Sequence, residues 1–139
     1  YRSLRQYIAR LKVRNVLFPG HIRFSEVLAY YAVSDLFLCM SDHEGFCVPL
    51  VEAMCFGKPI VAKVTTAVGE TMGGGGLPLT DNDPRTAAAA VHRLLTDAPL
   101  REAILAAQKR RLDDFGYEKV AGQFRESFGR FLAHVEMTK

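Results

Sequence analysis

Leu4, Ile8 and Leu11 fall on one helical stripe, with Arg2, Arg5, Arg10 and Lys12 elsewhere around the axis. Residues 1–12 are therefore expected to be helical, as the tail of a helix already under way at Tyr1. Val16-Leu17-Phe18, closed by Pro19-Gly20, reads as a short strand buried on both faces. Ser25 is a suitable N-cap for a second helix with Glu26 in its first turn and Val27, Leu28, Tyr31 and Ala32 on its inner face. Leu36–Met40 is the next strand. The loop Ser41–Cys47 leads into a helix with Pro49 at its first position and Gly57 just past its end. Ile60–Ala62 is a third strand, residues 64–76 are loop-rich with one helical turn around Glu70, and Leu77-Pro78-Leu79 is a weak fourth strand whose proline favours a sheet edge.

From Asp83-Pro84 onward the chain is expected to be helical, with a second helix opened by Asp97 and Pro99. A third, from Tyr117 to about Glu136, carries Val120, Phe124, Phe128, Phe131 and Val135 on one stripe. Alternating strands and helices give an α/β fold: a partial, doubly wound parallel sheet with helices on both faces. In the strand order 3-2-1-4-5-6, Val16–Phe18 would be the third strand, with the first two upstream of Tyr1. A gap would then separate it from Leu36–Met40, and the two exposed edges would favour self-association or strand exchange.

Composition narrows the class. The 139 residues suit about one domain, and 49% hydrophobic with 24% charged residues excludes a disordered tail. No apolar run approaches the length of a membrane span, and three cysteines without secretory features argue for a reducing, cytoplasmic setting. A net charge of +3 is too small to point to nucleic acid. The first 25 residues hold six basic groups (Arg2, Arg5, Arg10, Lys12, Arg14, Arg23) and no acid. That cluster is a candidate for contact with an anionic membrane surface, although a solvated helix face is the simpler account.

The loop from Ser41 to Glu52 is the chemical focus, because ligands of parallel sheets bind beyond the carboxyl ends of the strands. Gly45 permits close approach of the backbone. The amides of Phe46, Cys47 and Val48 stand at a helix start, where N–H groups and the dipole favour an anion. Glu44 precedes the helix and Glu52 lies about one turn inside it, an arrangement suited to a ligand with hydroxyls on both sides of a phosphate.

Phe18-Pro19-Gly20-His21, the string Ser41-Asp42-His43-Glu44-Gly45-Phe46-Cys47-Val48-Pro49-Leu50-Val51-Glu52-Ala53-Met54, and Gly57-Lys58-Pro59-Ile60-Val61-Ala62 together closely resemble the family-4 retaining glycosyltransferases of the GT-B fold. The likeness continues through Glu70-Thr71, the glycine run, Asp83-Pro84 and Leu100-Arg101. It implies that residues 1–139 are an N-terminally truncated C-terminal, donor-binding Rossmann-like domain, including the helices from about residue 84. It implies further that Glu44 contacts donor-sugar hydroxyls as the catalytic-site acid, and that Gly45, Phe46, Cys47 and Val48 hold the sugar and pyrophosphate. Glu52 would accept from the ribose, and His21 and Ile22 would lie against the base. His43 and Glu70 are further pocket candidates.

The implied donor is a UDP- or GDP-linked hexose, with no metal or other cofactor. The implied acceptor is a glycan or lipid-linked molecule held by an N-terminal domain outside this sequence. The phosphate-binding arginine and lysine of the family would also lie upstream, so the 139 residues alone are expected to be inactive. Cys47 stands where many members of the family have glycine, and Gly69 where they often have proline. Cys39, His43, Cys47 and Cys55 are conceivable zinc ligands, but the resemblance gives them no such role; Cys39 and Cys55 read as small hydrophobes. The run Gly73–Gly76 lacks the Lys-Ser/Thr of a P-loop and reads as a flexible turn. The alternative to an enzyme is a Rossmann-like interaction module with a vestigial nucleotide site.

Overall fold

The computed structural model describes residues 2–137, so Tyr1 lies outside the described residues. Among the described residues, seven helices and three strands follow in the order α1 (Arg2–Arg10), α2 (Phe24–Val33), β1 (Phe37–Cys39), α3 (Val48–Cys55), β2 (Ile60–Lys63), α4 (Val68–Met72), β3 (Leu77–Leu79), α5 (Pro84–Thr96), α6 (Ala98–Leu112) and α7 (Tyr117–Met137), with a 3-10 turn at Asp113–Phe115. The sheet is parallel in the order β1-β2-β3. Pro78 sits on an edge strand, where a missing N–H costs no ladder bond.

Strand alternation divides the core in two. Ile60 and Ala62 point to one face and pack with Tyr31, Leu50, Ala53, Met54, Val68 and Met72 from α2, α3 and α4. Val61 points to the other and packs with Leu79, Ala87, Leu94 and Ile104 under α5 and α6. Helices therefore cover both faces, as the alternation of the sequence requires.

Two local expectations are overturned. Val16–Phe18 forms no strand: Leu17 is 79% exposed, and the segment pairs with no part of the described sheet. A three-residue apolar run is not stable as a strand without a neighbour for its amides. The expected gap, and the edge on Val16, therefore do not exist; the exposed edge on this side is that of β1. Nor does Ser25 cap α2. The N-cap is Arg23, whose backbone N–H donates to the Glu26 carboxylate at 2.7 Å, and this reciprocal bond sets the helix start two residues earlier.

The end of α3 follows its sequence closely. Gly57 takes φ +59°, its N–H reaches Met54 O, and Lys58 N–H reaches Ala53 O, the paired bonds of a left-handed helix stop. Pro49, expected at the first helical position, occupies the second. The glycine run is a turn whose second half is buried. Gly73 ends α4 at φ +53°, while Gly75 and Gly76 are buried; a Cβ on Gly76 would stand 2.5 Å from Met72 Sδ and 3.0 Å from Ile60 O. Gln108 of α6 closes over this crossing, donating from Nε2 to Gly75 O at 2.8 Å and Lys58 O at 3.0 Å.

Candidate functional site

The register that pairs Cys39 with Ala62 brings the loops after β1 and β2 side by side at the carboxyl end of the sheet. The second loop clamps the first. Thr65 donates its hydroxyl to Ser41 O at 2.9 Å, and Lys63 pairs with Asp42 at 2.5 Å. Thr66 accepts from the Glu44 N–H at 2.9 Å and donates to Glu44 O at 2.7 Å. Thr71 of α4 donates to Phe46 O at 2.6 Å. Thr66 is held at φ +42°, an unfavourable backbone state for a β-branched residue, and its two bonds to Glu44 offset that strain.

Cys47 is the N-cap of α3 and also lies in the left-handed region, at φ +68° and ψ +64°. Its side chain turns inward, buried 3.9 Å from the Cys39 sulfur. Burial pushes the Cys47 thiol up to about 11, with Cys39 beside it and the Glu44 charge adding to the shift. This inward turn leaves Phe46 and Val48 exposed on either side. Among the described residues, the N–H groups of Phe46, Cys47 and Val48 donate to no acceptor outside α3.

Glu52, half-buried one turn further on, accepts from the Tyr31 hydroxyl at 3.0 Å, while the same hydroxyl lies 3.3 Å from Pro49 O. Burial and the Glu52 carboxylate raise the Tyr31 phenol well above its ordinary range, so it stays protonated as a donor. Tyr31 stacks on Phe56 at 5.5 Å between centroids, which fixes its ring on α2 and hence the carboxylate on α3.

Glu44, Gly45, Phe46, Cys47, Val48 and Glu52 thus occupy one continuous stretch of loop and helix, with Cys47 within electrostatic reach of both Glu44 and Tyr31. Gly45 is exposed, and a Cβ there would meet nothing within 4 Å. His43 is exposed in the same loop. Glu70 lies across a cleft of about 420 Å³ that it shares with Phe46, Arg111, Phe115 and Lys119. His21 and Ile22 immediately precede α2, the helix that carries Tyr31.

Tyr31 was legible in sequence only as a core position and Thr71 only as part of the family resemblance, while Thr65, Thr66 and Arg111 were not legible at all. Arg111 braces α4 by donating to Glu70 O at 2.7 Å and Thr71 O at 3.2 Å. Adjacency of β1 and β2 is the signal that finds the threonines, since residues just past paired strand ends must meet.

Comparison with known proteins adds the following. The family model of the group 1 glycosyl transferases matches residues 1–97. The chain is 29% identical over 108 residues to O-antigen chain mannosyltransferase B of Escherichia coli, covering 78% of this chain and 28% of that protein. It is 32% identical over 134 residues to the MMP alpha-(1->4)-mannosyltransferase of Mycolicibacterium hassiacum, covering 92% and 32% respectively. Anabaena HepE, solved in complex with UDP and glucose, superposes with a TM-score of 0.79 at 27% identity, over 93% of this chain and 36% of that one. The chain therefore spans about a third of the length of the proteins it resembles.

Proposed function

The chain belongs to the group 1 glycosyl transferases, of the GT-B type, and from that premise we propose that residues 1–139 are the donor-binding part of a family-4 enzyme. Such an enzyme moves a hexosyl unit from a UDP- or GDP-linked donor to a glycan or lipid-linked acceptor with retention of configuration. The observation that carries this reading is the stretch Glu44–Glu52. It presents uncommitted amides at the start of α3 between one carboxylate on a clamped loop and a second carboxylate fixed by Tyr31.

In this reading the diphosphate lies against the N–H groups of Phe46, Cys47 and Val48, where the helix start also favours negative charge. The sugar hydroxyls donate to Glu44 and the ribose hydroxyls to Glu52, while the base extends toward His21 and Ile22. His43 and Glu70 border the pocket. As the bond to the sugar breaks, negative charge grows on the departing diphosphate, and amides already aimed at it lower the barrier without reorganising. Transfer also needs an acceptor held at near-attack distance by an N-terminal domain, so residues 1–139 alone do not transfer the sugar. The UDP and glucose bound to HepE support the donor class; the two mannosyltransferases support a hexosyl unit.

Calorimetric titration of the full-length protein with UDP- and GDP-linked hexoses tests the reading. One nucleotide class should bind with a dissociation constant between about 1 μM and 1 mM, the usual range for substrates. Proton NMR of the product should then show the donor's anomeric configuration kept. Binding of neither class would leave an interaction module with a vestigial site, and inversion would remove the family-4 assignment.

A further inference from the structure

Cys39 at the end of β1 and Cys47 at the start of α3 are eight residues apart in sequence, yet the fold brings their sulfurs to 3.9 Å, both buried. The Glu44 carboxylate completes a group whose three ligand atoms all lie within 4.8 Å of one another. Among the described residues that carboxylate has no hydrogen-bond or ion-pair partner, since the contacts of Glu44 run through its backbone to Thr66. His43 and Cys55, the other sulfur and nitrogen donors nearby in sequence, are not members of the group.

We propose that Cys39, Cys47 and Glu44 form a binding site for a zinc-like cation, a tetrahedral, borderline-soft metal that takes two thiolates, one carboxylate and a water. The spacing supports it. Two sulfurs held about 2.3 Å from a tetrahedral centre stand about 3.8 Å apart, close to the separation found. A disulfide needs the same sulfurs at about 2.05 Å, a closure of nearly 2 Å. The third ligand, the Glu44 carboxylate, sits on a half-exposed side chain and can move toward the sulfurs. On binding, each thiol releases its proton to the buffer and the sulfur lone pair passes to the metal; no oxidant or reductant takes part.

The site has a consequence that rests on the donor reading above: a carboxylate drawn onto the metal no longer faces a donor sugar. Metal and donor would compete for Glu44.

Cobalt(II) is the probe. The full-length protein, kept reduced with a phosphine, should give a thiolate-to-cobalt charge-transfer band saturating at one equivalent and bleached by zinc. Cys55→Ser should keep the band, and Cys39→Ser and Cys47→Ser should lose it with circular dichroism unchanged. Glu44→Gln, which alters no core position, should weaken cobalt binding by about tenfold or more. No band, a band surviving in either Cys39→Ser or Cys47→Ser, or unchanged affinity in Glu44→Gln would each overturn the site. A cobalt band in a protein that binds no nucleotide sugar would keep the metal site and discard the donor reading. If the donor does bind, zinc should weaken it in the native protein and not in Cys39→Ser.

Discussion

Gly45 and Cys47 are two residues apart in one loop and have opposite backbone needs. Gly45 lies outside the left-handed region with open space where a Cβ would go, so nothing within the protein requires glycine there. Cys47 occupies the left-handed region that glycine fills most readily, and holds it through a buried sulfur. If a ligand approaches the backbone at Gly45, then Gly45→Ala should leave thermal stability within about 0.5 kcal/mol of the native protein. The same change should weaken donor binding by about tenfold, as a clash with the bound molecule would. Equal affinity would place the donor away from this peptide.

The candidate residues that share one stretch of chain (Glu44, Gly45, the α3 amides, Glu52) were legible because a strand-loop-helix unit carries them all. The residues that hold them were not. Tyr31 reaches Glu52 across 21 positions and Thr66 reaches Glu44 across 22, distances that only the packed sheet brings together.

Among the elements, helices were read most faithfully, since α3, α5 and α6 each announce themselves with a proline near the start, and α5 and α6 add an aspartate cap. Asp83 accepts from Arg85 N–H at 2.8 Å and Asp97 from Leu100 N–H at 3.0 Å. The glycine run was legible as a turn, but the burial of its second half was not. Gly76 is a crossing point where β3 begins against Ile60 of β2. Gly76→Ala should destabilise the protein by about 1–3 kcal/mol by overpacking, seen as a lower urea midpoint with unchanged slope. An unchanged midpoint would mean that the crossing is loose.

Three carboxylates tie elements together and are held below the usual carboxylate range: Asp42 by bonds from Lys63 and Asn82, Asp97 by the Leu100 N–H and then Arg93, and Asp114 by Lys119 and Arg111. A depressed folded value means that the stabilisation is complete above the unfolded value of about 3.9 and is lost as pH falls through the folded values. The melting temperature should therefore be insensitive to these groups between pH 7 and about pH 5, and fall as pH drops below about 4. A melting temperature that rises on acidification below that point would contradict the assignment.

For the whole molecule, the α/β class and the two covered faces followed from alternation alone, because a parallel sheet must bury both sides. The fate of Val16–Phe18 did not, since whether a short apolar run becomes a strand depends on a neighbour that its own residues do not encode. What remains to be measured is how a donor divides between the two carboxylates. In the full-length protein, affinity for the nucleoside diphosphate without sugar should be unchanged in Glu44→Gln and reduced in Glu52→Gln. Affinity for the complete nucleotide sugar should fall in both. Loss of nucleoside diphosphate binding in Glu44→Gln, or indifference of either ligand to Glu52→Gln, would contradict a donor lying along α3 from Glu44 to Glu52.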